Sequence, residues 1–314
     1  MRPILILFIA ILALSCNKNS IDVDWKIQPS GTANTLNCVY FADQNTGFAV
    51  GIGGTIVKTT NGGIPWTIQS SGTTNTLNSV FFMNGSVGCA VGAAGTILTT
   101  SNGGTLWRKQ VSGTTNELFS VFFTDLNTGY AVGYYGTILK TTNGGTAWTI
   151  QDSGLSHWLW SVYFTNVNTG YAVGDSGVII KTTNGGVVWS VQASGTLKNL
   201  FSVSFPTVNT GYASGSDGTM VKTINGGALW TTQSSGISNE IFSVFFTREN
   251  TGYAVSWPGA ILKTTDGAKS WTKQTSNTSN GLRSVCFTDS NTGYVVGVKG
   301  TIIKTTNGGG TDSK

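Results

Sequence analysis

The sequence predicts an all-β protein, a seven-bladed β-propeller, and three observations carry that prediction. Tryptophan recurs at Trp25, Trp66, Trp107, Trp148, Trp189, Trp230 and Trp271, and every step is 41 residues. Glycine keeps the same period at Gly47, Gly88, Gly129, Gly170, Gly211, Gly252 and Gly293, six of them within Asn-Thr-Gly. Between these markers each unit holds four short runs rich in aromatic and β-branched residues, and none shows helical periodicity. A fixed period in the range of about 40 to 50 residues marks a propeller or solenoid that behaves as one unit. Four antiparallel strands per repeat make a propeller blade.

One repeat justifies the elements in order. The runs 119–123 (FSVFF), 130–133 (YAVG), 137–142 (TILKTT) and 148–151 (WTIQ) read as strands. The breaks carry turn chemistry: DLNTG, YYG, TNGG and DSGLSH. The Asn-Gly-Gly turn admits a second reading, because a calcium loop also uses Asn and Asp. Such a loop needs several hard oxygen ligands, yet the position is Asn61, Asn102, Asn143, Asn184, Asn225 and Asn307, with only Asp266 charged. Asn-Gly supplies positive φ in tight hairpins, so these seven residues are read as structural and no metal is expected.

The register also accounts for the ends. A Trp strand near Trp25–Gln28 precedes the first complete unit, and the last unit stops at TNGGG without one. Pairing the first strand with the final three closes the ring and removes the open edge. The propeller is therefore placed at residues 24–309, with a tail at 310–314.

Residues 1–16, MRPILILFIAILALSC, carry one charge and an apolar run too short to span a bilayer, and they read as a signal peptide. The ending LALSC resembles a bacterial lipobox. That resemblance implies lipidation of Cys16, a short linker at 17–23, and an exported protein anchored to the outer membrane by lipid alone, on its periplasmic or its outer side. Cys38 and Cys286 fall on the first strands of units that ring closure makes neighbours. Their positions project the same way, so they are expected as free thiols, as is Cys89.

The net charge of +5 does not indicate nucleic acid. Lys58, Lys140, Lys181, Lys222, Lys263 and Lys304 are one repeated position spread around a ring, and Arg108, Arg248 and Arg283 occupy three different places in the repeat.

Function is sought where the repeats differ. The turn after the second strand and the link into the next unit emerge on one face, and both vary. Candidate binding residues there are Tyr134, Tyr135, Trp158, Asp175, Asp217, Trp257, Lys299, Glu117, Glu240 and Arg283. Aromatic rings beside a few charges suit a peptide or a sugar. Phe119, Trp160, Phe201 and Phe242 share one repeat position and are expected to pack between blades. Asp175 with Asp217 is the best pair available for glycoside cleavage, and His157, the one histidine, has no nucleophile signature beside it. No catalytic residue and no cofactor is assigned.

The run TTNGGTAW matches the Asp-box pattern Ser-x-Asp-x-Gly-x-Thr-Trp, with Thr141, Asn143, Gly145 and Trp148 at its fixed places. With NTGYAVG and GTILKTT repeated over residues 25–309, the chain resembles the photosystem II stability and assembly factor family. That resemblance implies seven blades and a structural box. The assembly factors carry an arginine-rich patch and Asp-box sialidases an arginine cluster with Tyr and Glu catalytic groups, whereas the arginines here are dispersed. The expectation is a non-catalytic, monomeric envelope scaffold that binds a protein through its variable face, the alternatives being a carbohydrate-binding module or an Asp-box glycosidase.

Overall fold

The computed structural model describes residues 24–310, so the leader, Cys16 and the linker lie outside the described residues. Among the described residues, 28 strands form seven four-stranded antiparallel sheets arranged in a ring. Blade 3 is typical: Leu118–Phe123 innermost, then Gly129–Gly133, Ile138–Thr141 and Thr149–Gln151 outermost. Blades 1 to 6 span residues 36–69, 77–110, 118–151, 159–192, 200–233 and 241–274. Blade 7 is composite. Its inner three strands lie within 282–305 and its outer strand is Lys26–Gln28, paired Lys26↔Lys304. Trp25, fully buried, packs edge-on against Tyr253 and Phe287 and completes the closure.

Each core lies between neighbouring blades. Val162 and Phe164 of blade 4 meet Tyr130, Val132 and Ile138 of blade 3, and Trp189 closes the same cluster. Tyr130 stacks on Phe164 at 4.0 Å while Trp189 stands edge-on to it at 6.0 Å. Such pairs contribute about 0.5–1.5 kcal/mol each beyond their buried area. The glycine series has a steric cause here, since a Cβ on Gly129 would fall 2.6 Å from the Phe123 ring.

Three repeated contacts hold blade to blade. A serine on six of the seven inner strands accepts the N–H of a valine in the next blade, as Ser161 does from Val203 and Ser284 from Val39, both at 3.3 Å, while Cys38 holds that place in blade 1. Lys181 Nζ donates to the Gly226 carbonyl of the next blade at 2.7 Å, and Tyr171 donates to the same oxygen at 2.7 Å. The repeated lysines thus have a structural role that charge counting does not show.

The Asn-Gly-Gly turn is structural, though its parts divide the work differently from the expectation. Positive φ falls on the two glycines, Gly144 at 70° and Gly145 at 85°, and not on Asn143. Asn143 Oδ1 instead accepts from Ala147 N and from the Thr141 hydroxyl, while Thr141 Oγ1 accepts from Gly145 N. Cys38, Cys89 and Cys286 are free, as expected.

Candidate functional site

The turns after the second strand and the links into the next blade meet on one face, around the inner ends of the first strands. Tyr134 N donates to Glu117 O, and Asp175 N to Trp158 O, so turn and link are bonded side by side. The register of every inner strand shifts near its start, between Leu118 and Ser120 in blade 3 and at the matching place elsewhere. A bulge leaves one residue out of the ladder and turns its side chain. That residue is Asn37, Asn78, Phe119, Trp160, Phe201, Phe242 or Arg283, one per blade, and all seven are half-buried.

From Asn37 round to Arg283, neighbouring blades bond or pack through these residues, which form a rim. Asn37 Nδ2 donates to Leu77 O at 3.1 Å, and Asn78 Nδ2 to Leu118 O at 3.0 Å and Glu117 Oε1 at 2.8 Å. The aromatic arc follows, with ring centroids 4.2 Å apart for Phe119–Trp160, 5.7 Å for Trp160–Phe201 and 5.6 Å for Phe201–Phe242. Arg283 ends it, its guanidinium carbon 4.5 Å from the centre of Phe242. The four aromatics were expected to pack between blades, and their rings do meet from each blade to the next. They do so at the axial rim and not beside Val121 and its counterparts, because the bulge breaks the alternation that would have placed them there.

The sequence candidates divide into those joined to the rim and those apart from it. Tyr134 packs edge-on against Phe119 at 4.7 Å and lies 4.2 Å from Trp158, with Tyr135 beyond at 5.9 Å. Asp175 Oδ1 accepts from Trp160 Nε1 at 2.7 Å. Burial, reinforced by the adjacent Glu117 carboxylate, pushes the Tyr134 hydroxyl above its ordinary value. Glu240 faces Arg283 and offsets part of the burial that lowers the guanidinium. Arg283 Nε is buried and meets no acceptor among the described residues.

Asp217 lies apart, paired with Lys198 at 2.6 Å with both side chains more than half exposed. Asp175 and Asp217 therefore answer to different partners and do not form a facing acid pair. Trp257 is 45% exposed and lays its ring over Gly281, where a Cβ would meet the indole. Lys299 is exposed in the blade 7 turn. Asn37 and Asn78 were missed by sequence reasoning, although their place in the repeat opposite Phe119 was available as a signal. Among the described residues no group of three His, Cys, Asp or Glu side chains is placed to hold a metal.

The model of the photosystem II assembly factor YCF48 family matches residues 17–112, 106–194 and 190–281, most of the chain. The chain belongs to that family. Solved YCF48 structures share its propeller: one bound to a D1 peptide superposes with a TM-score of 0.78 at 18% identity, covering 90% of this chain and 95% of the other. YCF48 from Cyanidioschyzon merolae gives 0.77 at 21% identity, over 90% and 99%. The xyloglucanase of Xanthomonas campestris, of glycoside hydrolase family 74, gives 0.76 at 12% identity, over 92% of this chain and 54% of the enzyme. At these identities the likeness is one of fold. No curated protein matches the sequence. Among the described residues one arginine, Arg283, reaches the rim, while Arg108 and Arg248 are exposed elsewhere.

Proposed function

We propose that this YCF48-family propeller is a non-catalytic protein-binding scaffold whose rim grips an extended segment of a partner protein. The observation that carries the reading is the unbroken arc from Tyr134 and Phe119 through Trp160, Phe201 and Phe242 to Arg283. Half-buried aromatic rings give large apolar contact at small entropic cost, and a charged end fixes direction. That a YCF48 structure holds a D1 peptide supports a protein partner for this member too. The two best-placed carboxylates, Asp175 and Asp217, are engaged by Trp160 and Lys198, which favours binding over bond cleavage. The leader-like composition of residues 1–16 supports a cell-envelope location on a lipid carried by Cys16, with the propeller acting as a monomer.

A random-peptide selection on the purified chain tests the rim. Selected peptides should carry large apolar side chains and lose about tenfold or more in affinity for Trp160→Ala/Phe201→Ala, the loss of roughly 1.4 kcal/mol or more expected of an anchor. Equal binding to both proteins would sink the reading. One observation favours a sugar instead: Tyr135, 64% exposed, extends the Tyr134–Trp158 cluster beside Glu117 and Asp175. A thermal shift with a glycan panel, abolished by Tyr135→Ala, would establish that alternative. Membrane release of Cys16→Ala would support the lipid anchor, and unchanged membrane association would refute it.

A further inference from the structure

Six of the seven blade junctions are closed by the same device, a lysine Nζ donating to a glycine carbonyl in the next blade's turn. The donors are Lys58, Lys140, Lys181, Lys222, Lys263 and Lys304, at 2.6–2.8 Å. In five junctions a tyrosine hydroxyl also donates into that turn, as Tyr130 does to Gly185 O at 2.8 Å. The lysine lies over the paired aromatic ring, 5.5 Å from its centre for Lys140 on Tyr130.

The junction from blade 2 to blade 3 lacks both donors. Thr99 stands in the lysine position and Cys89 in the tyrosine position, paired to each other as Tyr130 is to Lys140. Gln110 Nε2 turns in to bond Thr99 Oγ1 at 2.8 Å. The acceptor is still built, because Thr100 and Asn102 of blade 2 and Thr141 and Asn143 of blade 3 keep the ordinary turn bonds. A cavity of about 370 Å³ occupies the gap, lined by Thr99, Gln110, Arg108, Asn143 and Gly144.

We propose that this gap is a recognition slot for a lysine side chain of a protein partner, its alkyl stem in the cavity and its ammonium on the Gly144 carbonyl. The chain itself shows a lysine ammonium on the glycine carbonyl equivalent to Gly144 at five junctions, and at the sixth Lys263 reaches Gly310, two residues farther on. A charge-assisted N–H···O bond to a preformed acceptor is among the stronger polar contacts. Arg108, exposed at the mouth, opposes a cation, but an exposed charge is screened by solvent where the carbonyl contact is direct. The slot opens beside the turns of the uniform face, opposite the aromatic rim, so its failure and that of the rim are separately visible.

The probe is n-butylammonium, the atoms of a lysine side chain, titrated into the full chain while the backbone amide of Gly145 is followed by NMR. That peptide group contains the Gly144 carbonyl. A saturable shift is expected with butylammonium and none with n-butanol, and Arg108→Ala should tighten the response. Thr99→Lys should abolish it and raise the melting temperature by supplying the missing donor. If Thr99→Lys fails to fold, Cys89→Tyr/Thr99→Lys reproduces the pairing of the five complete junctions and serves as the same test. The proposal is overturned by no saturable shift, by an equal response to n-butanol, by weaker binding in Arg108→Ala, or by unchanged binding in a folded filled-slot variant.

Discussion

The two faces of the ring are built under opposite rules. On one, Thr, Asn and two glycines recur in nearly every turn, and each side chain has a partner that another blade reproduces. On the other, the seven equivalent rim positions run Asn, Asn, Phe, Trp, Phe, Phe, Arg. Repetition therefore marks where blade stability is made, and variation marks where the blade geometry tolerates any side chain. The comparison breaks if substitutions on the uniform face are cheap or if those on the variable face are costly.

Removing residues 24–28 should have the largest effect. It strips the outer strand from the last blade, leaving the edge of Ile302–Thr305 without the partner it pairs with at Lys26↔Lys304 and Gln28↔Ile302. It also deletes Trp25, whose side chain is fully buried. Loss of a buried Trp costs about 3–5 kcal/mol by itself, and a fall in melting temperature on the order of 10 °C is expected in calorimetry. An unchanged transition would mean that the ring does not depend on its composite blade.

Much of this was legible in the sequence, because the repeats align with one another inside a single chain. Blade number, strand order and closure follow from Trp and Gly markers that never slip. The rim was not legible. Counting alternately from Val121 and Phe123 places Phe119 in the core, and only the register shift between Leu118 and Ser120 puts it on the axis. The lysine contacts were hidden for another reason: their acceptor is a backbone carbonyl 45 residues away, in Lys181 to Gly226 for example, and no residue type announces it.

Those contacts give the second prediction. Lys181→Met keeps the stem over Tyr171 but removes the donor to Gly226 O, at a cost of about 1.5–3 kcal/mol for a bond to a charged group, less where water replaces it. Thr99→Val, at the junction that has no such bond to lose, should cost less. Denaturant unfolding of the two variants compares a complete junction with the incomplete one. Equal losses would show that the lysine contact contributes nothing to the seam.

Acid should act unevenly on the uniform face. Burial pushes the Asp266 carboxyl up, but bonds from the Ser270 hydroxyl and amide and from Thr264 outweigh it and hold the group at about 2. Asp43, Asp125 and Asp289 also lie below their ordinary value, where bonds from following backbone amides overcome the effect of burial. A carboxyl depressed in the folded chain stabilises fully above its unfolded value, about 3.9, and that contribution is lost as pH falls through the folded value. Stability should thus decline from about pH 4 toward pH 2. Asp266→Asn, which installs the residue found in the other six turns, should flatten part of that decline by giving up at pH 7 the contribution that the ionised carboxyl makes there. An identical acid profile in the variant would remove Asp266 from the account.

The smallest stability effects belong to the variable face, and there the sign is informative. The middle residue of its short turns has φ of 52–55° at Ala94, Tyr135, Ser176, Asp217 and Lys299, while the equivalent in blade 1 is Gly53 at 68°. A side chain in the left-handed region costs about 1–2 kcal/mol, partly offset because glycine loses more chain entropy on folding, roughly 0.5–1 kcal/mol. Tyr135→Gly should therefore leave the melting temperature unchanged or raise it slightly, since the ring it removes is 64% exposed. A clear loss of stability would make Tyr135 part of the scaffold. No loss, with weaker ligand binding, would mean that this turn keeps a strained tyrosine for what it displays, the reverse of the opposite face, where glycine occupies nearly every left-handed position of the Asn-Gly-Gly turns.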